Sequence, residues 1–295
     1  MRACAGRGRI RAIVPVDNLP NLPPLREVIQ AHGLAPLKRY GQHFLTDPRL
    51  IARIAAAAGD LTEGTVFEIG PGPGGLTRAL LAADARQVVA VEYDPRCLAA
   101  LAELSAVYPG RLQVVEADAL EVDLRELGPA PRKIVANLPY NISTVLLTRW
   151  LAQINGFACL TLMFQKEVAQ RLSAQPRTKA YGRLSVLTQV LCHVQKNFDL
   201  APGAFHPPPN VTSTVVTLTP LGGELPCRLK TLEACTAAAF GQRRKTLRSS
   251  LKSWAGPAEA LLESVDIPMS ARAEELVPTD FVRLATAFEQ RQTAL

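Results

Sequence analysis

Asn137-Leu138-Pro139-Tyr140 places an amide, a constrained carbonyl and an aromatic ring directly after Lys133-Ile134-Val135-Ala136. The Asn137 side-chain oxygen and the Leu138 carbonyl can each accept a hydrogen bond from the exocyclic amino group of a planar base. Pro139 restricts Leu138 to extended geometry, which gives its carbonyl one direction. Tyr140 offers a flat face for stacking. A strand end followed by an ordinary proline turn has the same composition, so the tetrapeptide gains meaning only from its neighbours.

A second cluster lies upstream. Glu68-Ile69-Gly70-Pro71-Gly72-Pro73-Gly74-Gly75-Leu76-Thr77 follows an apolar segment and opens a helical one. Glycines there let a ligand approach the backbone closely. Gly70, Gly72 and Gly75 satisfy GxGxxG, which by itself does not separate a dinucleotide site from an S-adenosylmethionine site. Glu92 ends the next strand-like run, where a carboxylate can accept from ribose hydroxyls of either cofactor. Asp118, after Val114-Val115-Glu116-Ala117, favours S-adenosylmethionine, because a carboxylate there can accept from an adenine amino group. For Glu68, ordering the loop or capping the helix stands beside direct ligand contact.

These residues need a frame. Strand-like runs at 65–69, 87–92, 112–116, 133–137, 157–164, 194–200 and 211–218 alternate with helical patterns at 75–83, 95–105, 143–153, 166–173 and 184–192. Continuous apolar strands alternating with helices imply an α/β fold with a mostly parallel sheet of seven strands, covered on both faces. The last two strands have no helix between them and read as an antiparallel hairpin, joined by the proline-rich loop 201–210. In such sheets ligands bind beyond the carboxyl ends of the strands, so Gly70, Glu92, Asp118 and Asn137 converge on one crevice. Thr46-Asp47-Pro48 caps a helix that Gly59 stops. Beyond Leu221-Gly222-Gly223 only helical patterns follow. The expected organisation is a basic, disordered tail over 1–24, an α/β domain over 25–222 and a small helical domain over 223–295.

The chain has 295 residues, 48% of them hydrophobic, and a formal net charge of +7. Its isoelectric point of about 9.3 suits a polyanionic partner. No window has the apolar length of a membrane span. Six scattered cysteines without a CxxC pair read as reduced thiols of a cytoplasmic protein, and the four histidines lack metal-ligand spacing. Arg2, Arg7, Arg9 and Arg11, with no acid before Asp17, also have the composition of an organellar leader.

The ordered set of motifs resembles the ribosomal RNA small-subunit adenine N6,N6-dimethyltransferases. The matching pieces are Gly41-Gln42-His43-Phe44-Leu45, the 68–77 loop, Asp118-Ala119, Asn137–Ile142, Tyr181–Val186, Phe205–Ser213, Phe240 and Arg243–Leu247. The resemblance implies a Rossmann-like class I methyltransferase fold. It also implies an S-adenosylmethionine site formed by Gln42, His43, Leu45, Glu68, Gly70, Gly72, Glu92, Asp118, Ala119 and Asn137. His43 replaces the usual Asn. Its imidazole could donate to the cofactor, with pH sensitivity if the donor is the protonated form, or only its backbone could touch it. The implied chemistry is methyl transfer to adenosine N6 by Asn137, Leu138, Pro139, Tyr140 and Phe205. Tyr140 and Phe205 would hold the two faces of a flipped base; Phe205 as a core-packed loop anchor is the competing reading.

Arg243, Arg244, Lys245 and Arg248, at the start of a helix, form one basic patch, and Arg177, Lys179 and Arg183 form another. A charge run is usually a solvated helix face; the resemblance points to RNA phosphates instead. The implied partner is small-subunit rRNA within an assembling 30S particle, bound by a monomer. The alternatives are a large-subunit rRNA adenine methyltransferase of the resistance type, an RNA-binding assembly or organellar transcription factor, and an NAD-dependent oxidoreductase. The last rests on GxGxxG alone.

Overall fold

The computed structural model describes residues 22–37 and 41–293. The tail expected over 1–24 lies outside the described residues up to position 21. The chain enters through α1 (Leu25–Ala31), a two-residue β1 (Phe44–Leu45) and α2 (Pro48–Ala57). Asp47 caps α2 as its spacing predicts, accepting from the Arg49 and Leu50 N–H groups at 2.8 and 3.4 Å. Alternation then sets in: β2 (Thr65–Ile69), α3 (Gly75–Ala82), β3 (Val88–Glu92), α4 (Pro95–Val107), β4 (Leu112–Glu116), β5 (Arg132–Asn137), α5 (Tyr140–Leu151), β6 (Cys159–Gln165), α6 (Lys166–Leu172), α7 (Arg183–Leu191), β7 (Cys192–Leu200), β8 (Phe205–His206) and β9 (Ser213–Pro220). Five helices follow: α8 (Leu229–Gly241), α9 (Leu247–Ser250), α10 (Lys252–Ala255), α11 (Glu259–Glu263) and α12 (Pro278–Thr293).

The seven-stranded sheet has the order β4-β3-β2-β5-β6-β9-β7. Strands β2 to β6 are mutually parallel, and β9 runs antiparallel between β6 and β7. Strand order reverses at β2, with β3 on one side and β5 on the other, and this opens the crevice at the carboxyl ends. Successive side chains alternate between faces. Phe67, Ile69, Val89, Val91, Ile134 and Ala136 therefore join one apolar cluster, and Val66, Val88, Ala90 and Val135 join another.

A third cluster fills the helical end. It combines Leu232, Cys235, Leu247, Leu261, Phe281 and Leu284 with Tyr181, Val186 and Leu187 of the preceding segment. Tyr181 is buried and its hydroxyl donates to the Leu276 carbonyl at 2.8 Å. Leu184 and Leu191, on another face of α7, pack against the sheet's cluster. Helix α7 thus contributes to both cores across the boundary expected at 222–223.

Three local expectations differ. Helix α5 begins at Tyr140, not Ser143, with Pro139 as its N-cap. The loop 201–210 contains β8, which pairs antiparallel with β1: Phe44 opposes His206 and Leu45 opposes Phe205. The helical end contains one antiparallel bridge, Thr246 to Arg272. Among the described residues no helix is long and apolar enough to cross a membrane.

Candidate active site

The loops after β2, β3, β4 and β5, with β1 across them, enclose a cavity of about 270 Å³. Gly70, Gly72 and Gly74 hold the first loop with φ of +67°, +54° and +84°, a backbone region open to glycine. A Cβ on Gly72 would come within 3.1 Å of the Phe44 ring. One on Gly70 would meet no protein atom within 4 Å, so the backbone there faces open space.

Glu92 orders this loop. Its Oε2 accepts from the Gly72 N–H at 2.8 Å, and its Oε1 accepts from the Tyr93 and Asp94 N–H groups at 2.8 and 2.7 Å. Burial pushes the Glu92 carboxyl up, and those three N–H groups pull it down. Glu68 is 1% exposed, and its Oε2 has no hydrogen-bond partner among the described residues. Burial pushes Glu68 up to about 8; the Thr77 hydroxyl and N–H oppose this in part, and Glu92 adds to it. Because Thr77 lies in the first turn of α3 while Glu68 lines the cavity, both readings of Glu68 have structural support. Asp118 uses Oδ1 to accept from the Leu120 N–H at 2.8 Å and lines the cavity beside Ala119.

At the end of β5, Asn137 Nδ2 donates to the His43 carbonyl at 3.1 Å. With its amide N–H so engaged, Oδ1 is the atom left to accept from a ligand. The Tyr140 hydroxyl is 2.6 Å from Ser213 Oγ, on β9. Burial pushes the Tyr140 hydroxyl above its ordinary pKa, so it stays a neutral phenol. Leu138 is buried, and Pro139 lies on the cavity wall.

Several expected roles change. Phe205 is 4% exposed and packs in the sheet's second cluster with Leu45, which it opposes in the β1–β8 ladder. The paired short strands cover its ring, which is the packing that the loop-anchor reading expects. Gln42 lines the cavity, but its side chain is committed: Oε1 accepts from the Leu37 N–H at 3.0 Å and Nε2 donates to Asp94 Oδ2 at 2.9 Å. His43 turns Nδ1 to the Pro207 carbonyl at 2.7 Å, so its imidazole does not donate that hydrogen to a cofactor. A neutral tautomer with Nδ1–H suffices for the bond, and the protonated form is not required.

The basic residues also divide. Arg243, Arg244 and Lys245 lie in the turn between α8 and α9, not in a helix. The Arg243 guanidinium donates three of its five N–H groups, to Glu274 Oε2 at 2.8 Å and to the Lys179 and Thr178 carbonyls, each at 3.0 Å. It staples the 177–179 loop to the helical end instead of offering a free charge. Arg248 pairs with Glu259 at 2.7 Å. Arg177, Lys179, Arg183, Arg244 and Lys245 are exposed and form no ion pair among the described residues. Gly41, Tyr93, Asp94 and Asn141 also line the cavity, although they are absent from the set expected from sequence. Tyr93 is 61% exposed at its mouth, directly after Glu92, and that position was the available signal.

Residues 36–290 match the family model described as ribosomal RNA adenine dimethylase. The chain belongs to this family. It is 60% identical over 272 residues to ribosomal RNA small subunit methyltransferase A of Paramagnetospirillum magneticum, covering 92% of this chain and 96% of that protein. It is 56% identical over 281 residues to the protein of that name from Rhodospirillum rubrum, covering 95% and 96%. Among solved structures, a dimethyladenosine transferase from Plasmodium falciparum superposes with a TM-score of 0.76 at 27% identity, covering 85% of this chain and 98% of that one. The 23S rRNA methyltransferase ErmE gives 0.61 at 30% identity, covering 84% and 100%. The dimethylases are class I methyltransferases whose methyl donor is S-adenosylmethionine. The cavity fits that donor. It combines carboxylates beyond β3 and β4, open space at Gly70 and the unpartnered oxygen of Glu68.

Proposed function

We infer that this protein dimethylates N6 of adenosine in small-subunit ribosomal RNA. The observation that carries the reading is the locked amide of Asn137. An acceptor oxygen is fixed beside the Leu138 carbonyl at the end of β5, and Tyr140 opens the next helix. Bound S-adenosylmethionine supplies a sulfonium methyl group. Glu92 and Asp118 would take its ribose hydroxyls and adenine amine, and the 70–75 loop would lie along it.

Adenine N6 is a weak nucleophile because its lone pair is delocalised into the ring. The Asn137 oxygen and the Leu138 carbonyl, each accepting one N6 hydrogen, favour a pyramidal nitrogen with the lone pair turned to the methyl. That interaction strengthens toward the transition state and so raises rate as well as affinity. The proton released afterwards leaves to solvent, and no dedicated base is needed. A monomethylated N6 keeps one N–H, so one of the two acceptor bonds lapses in the second round. Tyr140 supports one face of the base, which must be unpaired or flipped to reach it. Arg177, Lys179, Arg183, Arg244 and Lys245 would contact phosphates. The resemblance supports two adjacent adenosines of the 3′-terminal hairpin as targets, within an assembling 30S particle in the cytoplasm, and a monomeric enzyme.

The test is transfer from labelled S-adenosylmethionine to undermethylated small subunits and, in parallel, to large-subunit RNA, with nucleoside analysis. Dimethyladenine confined to small-subunit RNA is expected, and Asn137→Ala should reduce the rate by about 10²–10³, the usual effect of removing one preorganised polar contact. Label confined to large-subunit RNA would overturn the substrate assignment. A product that stops at monomethyladenine would overturn the two-round scheme.

A further inference from the structure

His43 sits on the cofactor side of the cavity, but its contacts reach the other side. Its Nδ1 donates to the Pro207 carbonyl at 2.7 Å. Its ring lies against Tyr140, with centroids 5.8 Å apart and planes 30° from parallel. Its own carbonyl accepts the Asn137 amide at 3.1 Å. The far end of Tyr140 is held by the buried Ser213. One residue between Gln42 and β1 therefore touches the amide, the aromatic ring and the loop after β8.

We propose that His43 is a positioning residue for the target adenine. This rests on the methyltransferase reading above. Two separable contacts carry the effect. The imidazole ring buttresses Tyr140: Ser213 fixes the hydroxyl, and the imidazole adds a support against the ring that the family's usual Asn lacks. The Nδ1–H tether holds the backbone of position 43 against the loop at Pro207. Through that backbone it holds the carbonyl that dictates which way the Asn137 amide faces. An amide turned by 180° would present N–H to N6 where an acceptor is required. On this proposal the cofactor is held by Glu92, Asp118, the glycine loop and backbone groups, not by the imidazole, whose Nδ1–H is taken by Pro207.

Three variants separate the contacts. His43→Ala removes both. His43→Asn keeps an amide N–H close to the position of Nδ1 but has no ring. His43→Phe keeps a ring but has no donor. S-adenosylmethionine affinity, read by calorimetry, should stay within about twofold in all three. On undermethylated small subunits, His43→Ala should lower kcat about tenfold, the combined effect of one hydrogen bond and one aromatic pair. His43→Asn and His43→Phe should each recover part of that activity. Cofactor affinity that falls in step with kcat would make His43 a cofactor ligand and overturn the proposal. So would full activity in His43→Ala, or an equal decrease in all three variants accompanied by a lowered Tm. An unaltered protein that methylates neither RNA would overturn this proposal together with the functional reading, before any variant is compared.

Discussion

Glu68→Gln offers a direct test of the buried carboxyl. Glu68 is almost inaccessible, and one oxygen lacks a partner among the described residues, so burial favours its neutral form in the folded protein. Its pKa is pushed from an ordinary 4.5 to about 8. Between those values the unfolded chain is ionised at this position while the folded chain retains the proton. Folding then binds a proton, and stability falls as pH rises. The contribution is fully present below pH 4.5, declines by about 1.4 kcal/mol per pH unit and levels off above pH 8. The decline amounts to about 3 kcal/mol by pH 7 and about 5 kcal/mol at its limit. Gln does not ionise, so the variant should gain stability relative to the unaltered protein across this range. Urea unfolding of both at pH 5, 6, 7 and 8, without cofactor, measures the gap. A gap that stays constant would refute the reasoning and show that Glu68 ionises normally in the folded state.

Three further outcomes follow from the division among polar residues. The double variant Arg244→Ala/Lys245→Ala should keep its Tm but weaken RNA binding. Its slope of log affinity against log salt should become shallower by about 0.7–0.9 for each phosphate no longer neutralised, read from binding isotherms at several salt concentrations. Arg243→Ala should instead lower Tm in a calorimetric scan, because it releases Glu274 and two loop carbonyls. Tyr181→Phe should destabilise by about 1 kcal/mol by removing the bond to Leu276, measured by urea unfolding, with kcat unaltered.

The sheet was legible in the sequence because burial on both faces leaves unbroken apolar runs, and the helices between them have their own period. The ends of β2, β3 and β5 fall where their terminal residues Ile69, Glu92 and Asn137 suggest. What stayed hidden depends on contacts between distant segments. Two-residue strands carry no period, so the pairing of Leu45 with Phe205 cannot be read from either segment. It is this pairing that buries the Phe205 ring beside Leu45. Likewise Arg243 looks identical to Arg244 in a charge run. Only the fold shows that the 177–179 loop arrives beside one of them and not the other. Pro139 signals a constraint on Leu138, yet it also starts α5 three residues earlier than the periodicity suggests. The resemblance supplied His43 as a cofactor contact; the Pro207 carbonyl that claims its ring lies 164 positions away.

Helix α7 carries a consequence of its own. Its Val186 and Leu187 are embedded in the helical core, while Leu184 and Leu191 rest on the sheet. Its first residue, Arg183, is one of the exposed cations, and Arg243 staples the neighbouring 177–179 loop to the helical end. The positive surface and the methylation pocket are thus mounted on one beam, not joined by a pivot. An RNA held by that surface, as proposed above, would meet the pocket at a set reach and angle. On that proposal the adenosine would be selected by its distance from the grip, with no bases read along the span between.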